Sequence, residues 1–265
     1  MSYAEVGGLR IWYEEHGAGK PLVLLHGEYG STETFAPVRP ALATRRKLIA
    51  VDLQGHGRTA DVDRPLRYES MADDVAALLR HLGLPRADVL GYSLGGGVAL
   101  RTAIQHPDLV RRLVLVSTPF RRDGWYPGTL AAMSAHDERV AQRVHGTPLH
   151  ERYARVAPRP QDWQALWARG GELLRRDYDW SAEVAALPMP VLLVFADADE
   201  IPVSHAAEFF GLLGGGRRDA GGDGTDRPAS RLAVLPGLTH YDVLTSPALP
   251  AAVLPFLTHP ARAPG

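Results

Sequence analysis

The chain has 265 residues, of which 45% are hydrophobic and 22% charged, a composition typical of a globular enzyme with a sizeable core. Its net charge of −1 gives no electrostatic basis for binding nucleic acid or an anionic membrane, and cysteine is absent, which excludes disulfides, thiolate catalysis and cysteine-ligated metals. Residues 1–8 lack the basic and apolar regions of a signal peptide, and no apolar run approaches the roughly 20 residues that cross a bilayer. We therefore expect a soluble, cytoplasmic protein.

Short continuous apolar runs, typical of strands buried on both faces, alternate with helical patterns along most of the chain. We predict strands at residues 9–16, 21–25, 47–52, 89–90, 113–116, 191–195 and 231–235. Helical patterns lie between them at 68–81 and 93–105. Such alternation indicates an α/β fold with a mostly parallel, doubly wound sheet that helices cover on both faces.

The alternation breaks between residues 121 and 187. This stretch lacks buried-strand runs and is rich in Arg, Trp and Ala, with several proline breaks. We predict a helical cap at 121–187, inserted into a core formed by 1–120 and 188–265. A second irregular stretch, 214–228, has acidic residues that miss the spacing of a calcium-binding EF-hand, so we predict a loop there and no metal.

The sequence Gly-Tyr-Ser-Leu-Gly at residues 91–95 lies between a predicted strand and a predicted helix. Gly-x-Ser-x-Gly in this position is the nucleophile elbow, a turn so tight that a Cβ at either glycine would crowd it. Its serine takes a strained backbone conformation and is lifted clear of the sheet, at the positive end of the following helix. We predict Ser93 as a nucleophile; the alternative is an ordinary serine in a glycine-rich turn.

A serine nucleophile needs a base, and the base needs an orienting acid. In the chain order serine, acid, histidine, the base follows the acid, which is expected just past strand 191–195, and three histidines lie downstream of that point. His205 is within a predicted helix and His259 is in a proline-rich tail. His240 follows strand 231–235 at the carboxyl end of the sheet, where Ser93 also emerges, so we predict His240 as the base.

Two aspartates are candidates for the acid. Asp197 and Asp199 both follow strand 191–195 and have the same parity, so periodicity does not separate them. Asp199 lies farther into the loop and can better reach an imidazole on a neighbouring loop, so we favour Asp199. Asp197 has an alternative role as a turn former.

An oxyanion hole needs two backbone N–H groups that point at the developing charge. One is expected from Leu94, which follows the nucleophile. The other is expected from Glu28, because Gly27 permits the sharp turn after strand 21–25. We interpret His26 and His56, which precede the nucleophile, as residues that brace loops.

Five motifs in chain order together resemble the landmarks of the α/β-hydrolase superfamily. They are His26-Gly27, Asp52-x-x-Gly55-His56-Gly57-Arg58, Gly91-x-Ser93-x-Gly95, Asp197-Ala198-Asp199 and Gly237-x-x-His240. The resemblance covers roughly residues 20–245 and implies a serine hydrolase with a helical cap and no cofactor. It also implies the triad and the oxyanion donors, which are Ser93, Asp199 and His240, with the amides of Glu28 and Leu94.

The chain departs from this family at one position. Relatives commonly carry a neutral residue after His-Gly, whereas this chain has Glu28. An unpaired carboxylate that points inward would oppose the oxyanion. We therefore expect the Glu28 carboxylate to point to solvent or to pair with an arginine.

Most of the tryptophans fall in the predicted cap. We expect Trp125, Trp163 and Trp167, together with Tyr29, to line an apolar pocket over Ser93. The alternative for each tryptophan is packing of the cap against the core. A pocket of this type suits an uncharged, medium-sized ester or lactone.

The leading hypothesis is hydrolysis of a carboxylic ester or lactone through an acyl-enzyme intermediate. A hydrolase that cleaves a carbon–carbon bond in a diketone is one alternative, because such enzymes have a similar triad. A slow-turnover, ligand-sensing protein is another. Haloalkane and epoxide chemistry is disfavoured, because relatives that perform it carry Asp where this chain has Ser93. We expect a small-molecule substrate and neither nucleic acid nor a membrane as partner. The sequence indicates no oligomeric state.

Overall fold

The computed structural model describes residues 2–258, and one sheet runs through this part of the chain. Its eight strands are β1 (Ser2–Val6), β2 (Leu9–His16), β3 (Lys20–Leu25), β4 (Arg46–Val51), β5 (Ala87–Tyr92), β6 (Val110–Val116), β7 (Val191–Ala198) and β8 (Arg231–Thr239). Their order is β1-β2-β4-β3-β5-β6-β7-β8. The pairs β1/β2 and β2/β4 are antiparallel and the others are parallel, so the predicted mostly parallel α/β fold is confirmed.

Helices connect the strands and cover both faces of the sheet. Those within residues 2–258 are α1 (Arg39–Ala43), α2 (Tyr68–His81), α3 (Leu94–Gln105), α4 (Pro127–Ser134), α5 (Glu138–Arg143), α6 (Pro148–Val156), α7 (Trp163–Arg175), α8 (Ser181–Ala185), α9 (Val203–Leu212) and α10 (Ala248–Thr258). The predicted loop at 214–228 contains neither a helix nor a strand.

The central strands are buried on both sides because successive side chains point to opposite faces. In β3, Leu22 and Leu24 belong to one core, to which α1 and α10 also contribute. Val23 and Leu25 belong to the other core, which α2, α3 and α9 cover. Each face therefore has its own apolar layer, as a doubly wound sheet requires.

Helices α4 to α8 lie between β6 and β7, within residues 121–187, which we call the helical segment. Buried side chains of α7, including Leu166 and Trp167, join the core on the side of α2 and α3. The position of these helices agrees with the predicted insertion. The division into a cap and a separate core stays a prediction.

Candidate active site

Ser93 lies at the junction of β5 and α3 in a strained backbone conformation, with φ +53° and ψ −119°. A Cβ on Gly91 would lie 2.2 Å from the carbonyl oxygen of Gly95. A Cβ on Gly95 would lie 2.3 Å from the carbonyl oxygen of Leu25 in β3. Only glycine fits at both positions, so the turn holds the Ser93 side chain at the carboxyl end of the sheet.

The Ser93 hydroxyl meets an imidazole that a different strand supplies. His240 directly follows β8, and its Nε2 lies 3.1 Å from Ser93 Oγ. On the other side of the ring, Nδ1 lies 2.8 Å from Oδ1 of Asp199, which directly follows β7. A carboxylate only accepts, so it fixes the proton on Nδ1 and leaves Nε2 free to accept from the serine hydroxyl.

Asp199 is buried, and donors contact both of its carboxylate oxygens. His240 Nδ1 and the Glu200 amide donate to Oδ1, while the Ser117 hydroxyl and the Ala196 amide donate to Oδ2. Burial alone would raise the pKa of Asp199, but the hydrogen bonds outweigh it and lower the pKa below its ordinary value. The carboxylate is therefore charged and held in a fixed orientation toward His240.

The two candidate acids have different contacts. Asp197 is still part of β7, and its Oδ1 accepts from the amides of Gly237, at 2.9 Å, and Leu238, at 3.3 Å. These bonds tie the end of β7 to the end of β8. Asp197 therefore makes contacts of the turn-forming kind, and Asp199 is the aspartate that contacts His240.

A tight turn after β3 presents the backbone that was expected to bind an oxyanion. The Gly30 amide donates to the Gly27 carbonyl at 3.1 Å, so Glu28 and Tyr29 form the centre of the turn. Tyr29 has φ +57°, a strained value for a residue with a side chain. The turn does not use the amide of its second residue, Glu28. The Leu94 amide is the first in α3, where amides lack intrahelical partners.

The expectation for the Glu28 carboxylate is wrong. Its side chain is only 15% exposed, and among the described residues the basic group that approaches it is the His136 imidazole, with Nδ1 3.8 Å from Oε2, and not an arginine. Oε1 is buried without a hydrogen-bond partner there. The carboxylate points under α7, where a Cβ on Gly170 would lie 2.5 Å from Oε1. The sequence could not reveal this arrangement because the covering residues lie far along the chain.

The four predicted pocket aromatics have different surroundings. Trp125 packs against His240, with ring centroids 5.6 Å apart, and is the tryptophan with a described contact to the candidate triad. Tyr29 stacks on Trp167, with centroids 4.0 Å apart and an interplanar angle of 12°. Trp163 donates its indole N–H to the Ala141 carbonyl, and its ring packs against Tyr29, with centroids 5.9 Å apart, and so joins the helical segment to the core. For Trp163, the described contacts are those of the packing alternative.

The other histidines that were considered for a role at the site lie outside the candidate triad. His26 bonds the Gly27 carbonyl with one ring nitrogen and accepts from the Leu53 amide with the other, which braces two loops. His56 donates to the Gln54 carbonyl at 2.8 Å. His205 lies in α9 and stacks on Phe120. His259 lies outside the described residues.

Two positioning residues had no recognised sequence signal. The Tyr92 hydroxyl donates to the His240 carbonyl at 2.7 Å, which links the elbow to the loop of the base. Ser117 directly follows β6 and has φ +51°, so its hydroxyl can turn toward Asp199. The sequence feature that could have indicated Ser117 is its position directly after a buried strand, which neighbours the strand that carries the acid.

Within residues 2–258, no group of three or more His, Asp or Glu side chains is arranged to hold a metal ion. None of the helices described in this range is long and apolar enough to span a membrane.

Comparison with known proteins identifies the family. A family model for the α/β hydrolase fold matches residues 20–158, which is more than half of the chain. The chain belongs to the α/β-hydrolase family. The expected superfamily is thereby confirmed.

Curated relatives match only part of this chain. A putative carbamate hydrolase of Azorhizobium caulinodans is 36% identical over 125 residues, covering 47% of this chain and 47% of that protein. An sn-1-specific diacylglycerol lipase of Danio rerio is 37% identical over 106 residues, covering 39% of this chain and 33% of the lipase. The alignments thus span less than half the length of these relatives.

Solved structures match along almost the whole chain. An esterase from Thermogutta terrifontis has a TM-score of 0.72 at 22% identity and covers 97% of this chain and 98% of its own. An enol-lactonase from Burkholderia xenovorans has a TM-score of 0.71 at 21% identity and covers 97% and 100%. At these identities the likeness establishes the α/β-hydrolase fold.

Proposed function

We propose that this α/β hydrolase cleaves an uncharged carboxylic ester or lactone through an acyl-enzyme intermediate. The observation that carries the proposal is the chain of contacts from Ser93 Oγ to His240 Nε2, at 3.1 Å, and from His240 Nδ1 to Asp199, at 2.8 Å. A hydroxyl that hydrogen-bonds a neutral imidazole loses its proton as it attacks a carbonyl carbon. An anchored carboxylate stabilises the imidazolium that forms.

In the first half of the reaction, Ser93 Oγ attacks the scissile carbonyl and His240 Nε2 takes its proton. The carbonyl oxygen becomes an anion and is stabilised by the backbone amides of Glu28 and Leu94. The tetrahedral intermediate collapses, the bond to the leaving oxygen breaks, and His240 gives its proton to that oxygen. An alcohol leaves from an ester, while a lactone opens to a tethered hydroxyl.

In the second half, water attacks the acyl-enzyme and His240 Nε2 takes a proton from it. The same two amides stabilise the second oxyanion, and its collapse breaks the bond to Ser93 Oγ. His240 then returns the proton to that oxygen, which regenerates the free serine and releases the carboxylic acid. Asp199 keeps its charge throughout, because donors surround both of its oxygens.

The surroundings of the triad support an ester or lactone as substrate. Trp125 packs against His240, and Tyr29 with Trp167 forms a stacked aromatic pair beside the turn that carries the oxyanion amide. Aromatic walls bind uncharged acyl or alcohol groups by burying apolar surface. Relatives and structural neighbours described as a lipase, an esterase and an enol-lactonase support the same substrate class.

Turnover of p-nitrophenyl esters of graded acyl length, several lactones and one diketone tests this proposal. We expect sustained hydrolysis of esters or lactones, and covalent labelling of Ser93 by a serine-directed phosphonate, located by peptide mass spectrometry. Ser93→Ala should lower kcat by on the order of 10⁴-fold or more and abolish labelling. Ser204→Ala, at an exposed serine of α9, is the matched control and should change neither.

Three results contradict the proposal. Labelling of a different serine removes Ser93 as the nucleophile. Turnover of the diketone alone indicates carbon–carbon bond hydrolysis, and a burst of product without further turnover indicates a ligand-sensing protein.

A further inference from the structure

Glu28 carries a buried carboxyl group on the turn after β3, and one of its oxygens has no hydrogen-bond partner among the described residues. Oε1 is fully buried and has no hydrogen-bond partner among the described residues, and His136 Nδ1 is 3.8 Å from Oε2. By contrast, the buried carboxylate of Asp199 receives four donors. A buried polar atom without a partner loses free energy, so such atoms are concentrated where a ligand supplies the missing bond.

Three elements enclose the Glu28 carboxyl group. The turn after β3 supplies Tyr29, whose hydroxyl lies 2.9 Å from Nδ1 of His136, just beyond α4. Helix α7 covers both groups with Gly170, where a Cβ would lie 2.5 Å from Glu28 Oε1 and 3.3 Å from the Tyr29 hydroxyl oxygen. Trp167, one turn earlier in α7, also has a buried indole N–H without a described partner. The helix therefore leaves room for the carboxyl group only because position 170 has no side chain.

The surroundings of Glu28 favour the neutral carboxylic acid. Burial raises the pKa of Glu28 to about 8, against the smaller opposing effect of a hydrogen bond with the Tyr29 hydroxyl. The titratable groups that face it are Tyr29, Tyr68 of α2 and His136. Burial and the charge of Arg175 lower the pKa of His136, so this imidazole is neutral at pH 7 and supplies no positive charge. At neutral pH, Glu28 is therefore mostly an O–H donor.

Glu28 is also the residue whose backbone amide is assigned to the oxyanion hole under the proposed function. The carboxyl group and this amide belong to the same residue, so the carboxyl group lies within one side-chain length of the amide that would bind the oxyanion. A neutral carboxyl group at this distance does not repel the oxyanion, whereas a carboxylate would. The departure from the family pattern at position 28 is thus compatible with catalysis while the group stays protonated.

We propose that Glu28 is a specificity-determining residue that donates a hydrogen bond from its carboxyl group to an ether, hydroxyl or carbonyl oxygen close to the scissile carbonyl of the substrate. The inference rests on the proposed function and narrows its substrate class to uncharged, oxygen-substituted esters or lactones. A site with a buried donor selects against analogues that lack the acceptor, because the donor then stays unpaired in the complex.

Matched pairs of p-nitrophenyl esters test this inference. Methoxyacetate and butyrate have the same chain length, with an ether oxygen in place of one methylene, and 3-methoxypropionate and valerate move the oxygen one atom outward. The measurement is the ratio of kcat/KM within each pair, corrected by the ratio of the hydroxide-catalysed rates. At pH 6.5 we expect one pair to favour the ether ester by roughly 3- to 10-fold, the effect of one neutral hydrogen bond.

Substitutions assign the preference to the side chain. Glu28→Gln keeps the size and an N–H donor, so the corrected ratio should persist and stay constant from pH 6.5 to 9.5. In the wild type the ratio should fall as the pH rises through about 8. Glu28→Leu should bring the ratio to about 1. The control, Glu208→Gln, removes the carboxyl group of an exposed glutamate of α9 that accepts from Arg121, and should leave the ratio unchanged.

Several outcomes overturn the inference. One is a corrected kcat/KM ratio that is equal in the wild type and Glu28→Leu. A second is a wild-type ratio that does not change with pH. A third is a preference for trimethylammonioacetate esters that grows above pH 8, which would indicate a cation site. If Glu28→Leu fails to fold, the pH profiles of the wild type and Glu28→Gln decide alone.

Failure of the proposed function is a separate result. If the protein hydrolyses no ester, binding is measured instead, by tryptophan fluorescence of the Ser93→Ala variant. The ligands are N-methylmethoxyacetamide with N-methylbutyramide, and N-methyl-3-methoxypropionamide with N-methylvaleramide. Trp167 stacks on Tyr29 and reports on this region. The ether amide of one pair should bind more tightly, and Ser93→Ala/Glu28→Leu should lose the difference; equal Kd values in Ser93→Ala overturn the inference.

Discussion

The Ser117 hydroxyl donates a hydrogen bond to Oδ2 of Asp199, the carboxylate oxygen that His240 does not contact. Ser117 follows β6 and Asp199 follows β7, and these two strands are neighbours in the sheet. The residue at the end of β6 therefore holds Oδ2 of the carboxylate, while Oδ1 faces His240. This arrangement fixes which aspartate is available to the imidazole.

Substitution of the two aspartates should separate their roles. Asp199→Asn should lower kcat by on the order of 10⁴-fold, because an amide stabilises the wrong imidazole tautomer and no longer supports the imidazolium. Asp197→Asn keeps an acceptor for the amides of Gly237 and Leu238 and should cost only a few-fold. Steady-state kinetics on the best ester measures both. A severe loss in folded Asp197→Asn with a small loss in Asp199→Asn would reverse the assignment.

Ser117→Ala should weaken the hold on Asp199. Loss of this hydrogen bond to a charged group should raise the pKa of Asp199 toward its ordinary value. A depressed pKa stabilises the fold above the unfolded-state pKa, and this stabilisation is lost as the pH falls. Ser117→Ala should therefore destabilise most at pH 7 and least near pH 3.

Urea unfolding of the Ser117→Ala variant between pH 3 and 8 measures this effect. In an Asp199→Asn background the same substitution should cost much less and show no such pH dependence, because the charge is gone. The serine and the alanine both carry a Cβ at φ +51°, so backbone strain is the same in the two proteins. An equal cost in both backgrounds would mean that Ser117 acts only through packing.

The sequence predicted the central strands well because they are short apolar runs buried on both faces, as in β3 and β7. It missed β1, an edge strand with an alternating pattern in which Ala4 and Val6 are buried and their neighbours exposed. Ser93 and His240 were predictable because the elbow motif and the chain order at strand ends fix them. The strand periodicity could not show whether Asp197 or Asp199 contacts the imidazole. The hydrogen bonds distinguish them, because Asp197 accepts from Gly237 and Asp199 contacts His240.

The environment of Glu28 was not predictable in the same way. Local sequence indicates a turn after β3, and the turn is present. The direction of the carboxyl group depends on what packs over the turn, which is α7 with its small residue Gly170 and the loop with His136. No periodicity near residue 28 carries that information. The error therefore arose from a tertiary contact and not from a wrong local structure.

Gly170→Ala tests the close approach of α7 to Glu28. The new Cβ would lie 2.5 Å from Oε1, so the carboxyl group must move, and we expect a loss of roughly 1–3 kcal/mol in the free energy of unfolding. In a Glu28→Ala background the contact with Oε1 is gone and the Tyr29 hydroxyl oxygen, at 3.3 Å, is the nearest neighbour. Gly170→Ala should therefore cost much less and approach the gain of up to about 1 kcal/mol of other helix interiors.

The control for Gly170→Ala is Gly211→Ala in α9, where an added Cβ meets nothing within 4 Å. It should give the helix-propensity gain of about 0.5–1 kcal/mol in both backgrounds. A Gly170→Ala cost that is independent of residue 28 would place the clash elsewhere.

Glu28→Gln should stabilise the protein at neutral and alkaline pH. The pKa of Glu28 is about 8 in the folded state and near its ordinary value of 4.5 in the unfolded chain, so the folded state binds the additional proton between these values. The contribution of wild-type Glu28 to stability is thus complete below pH 4.5 and is lost as the pH rises through 8. Glutamine has no proton to lose, so the gain should be small at pH 4.5 and reach on the order of 1–3 kcal/mol above pH 8.

Glu14 is the matched control for this pH dependence, because it is also a buried glutamate but its pKa is shifted in the opposite direction. Burial alone would raise the pKa of Glu14, but hydrogen bonds from His16, Trp12 and Thr32 and the charge of Arg58 together lower it. Its contribution is present above the unfolded-state pKa and is lost as the pH falls. Glu14→Gln should therefore destabilise at pH 7 and less at pH 4, the reverse of Glu28→Gln. Urea unfolding of both variants against the wild type from pH 4 to 9 measures the two slopes. A pH-independent difference for Glu28→Gln would mean that the pKa of Glu28 is the same in the folded and unfolded protein.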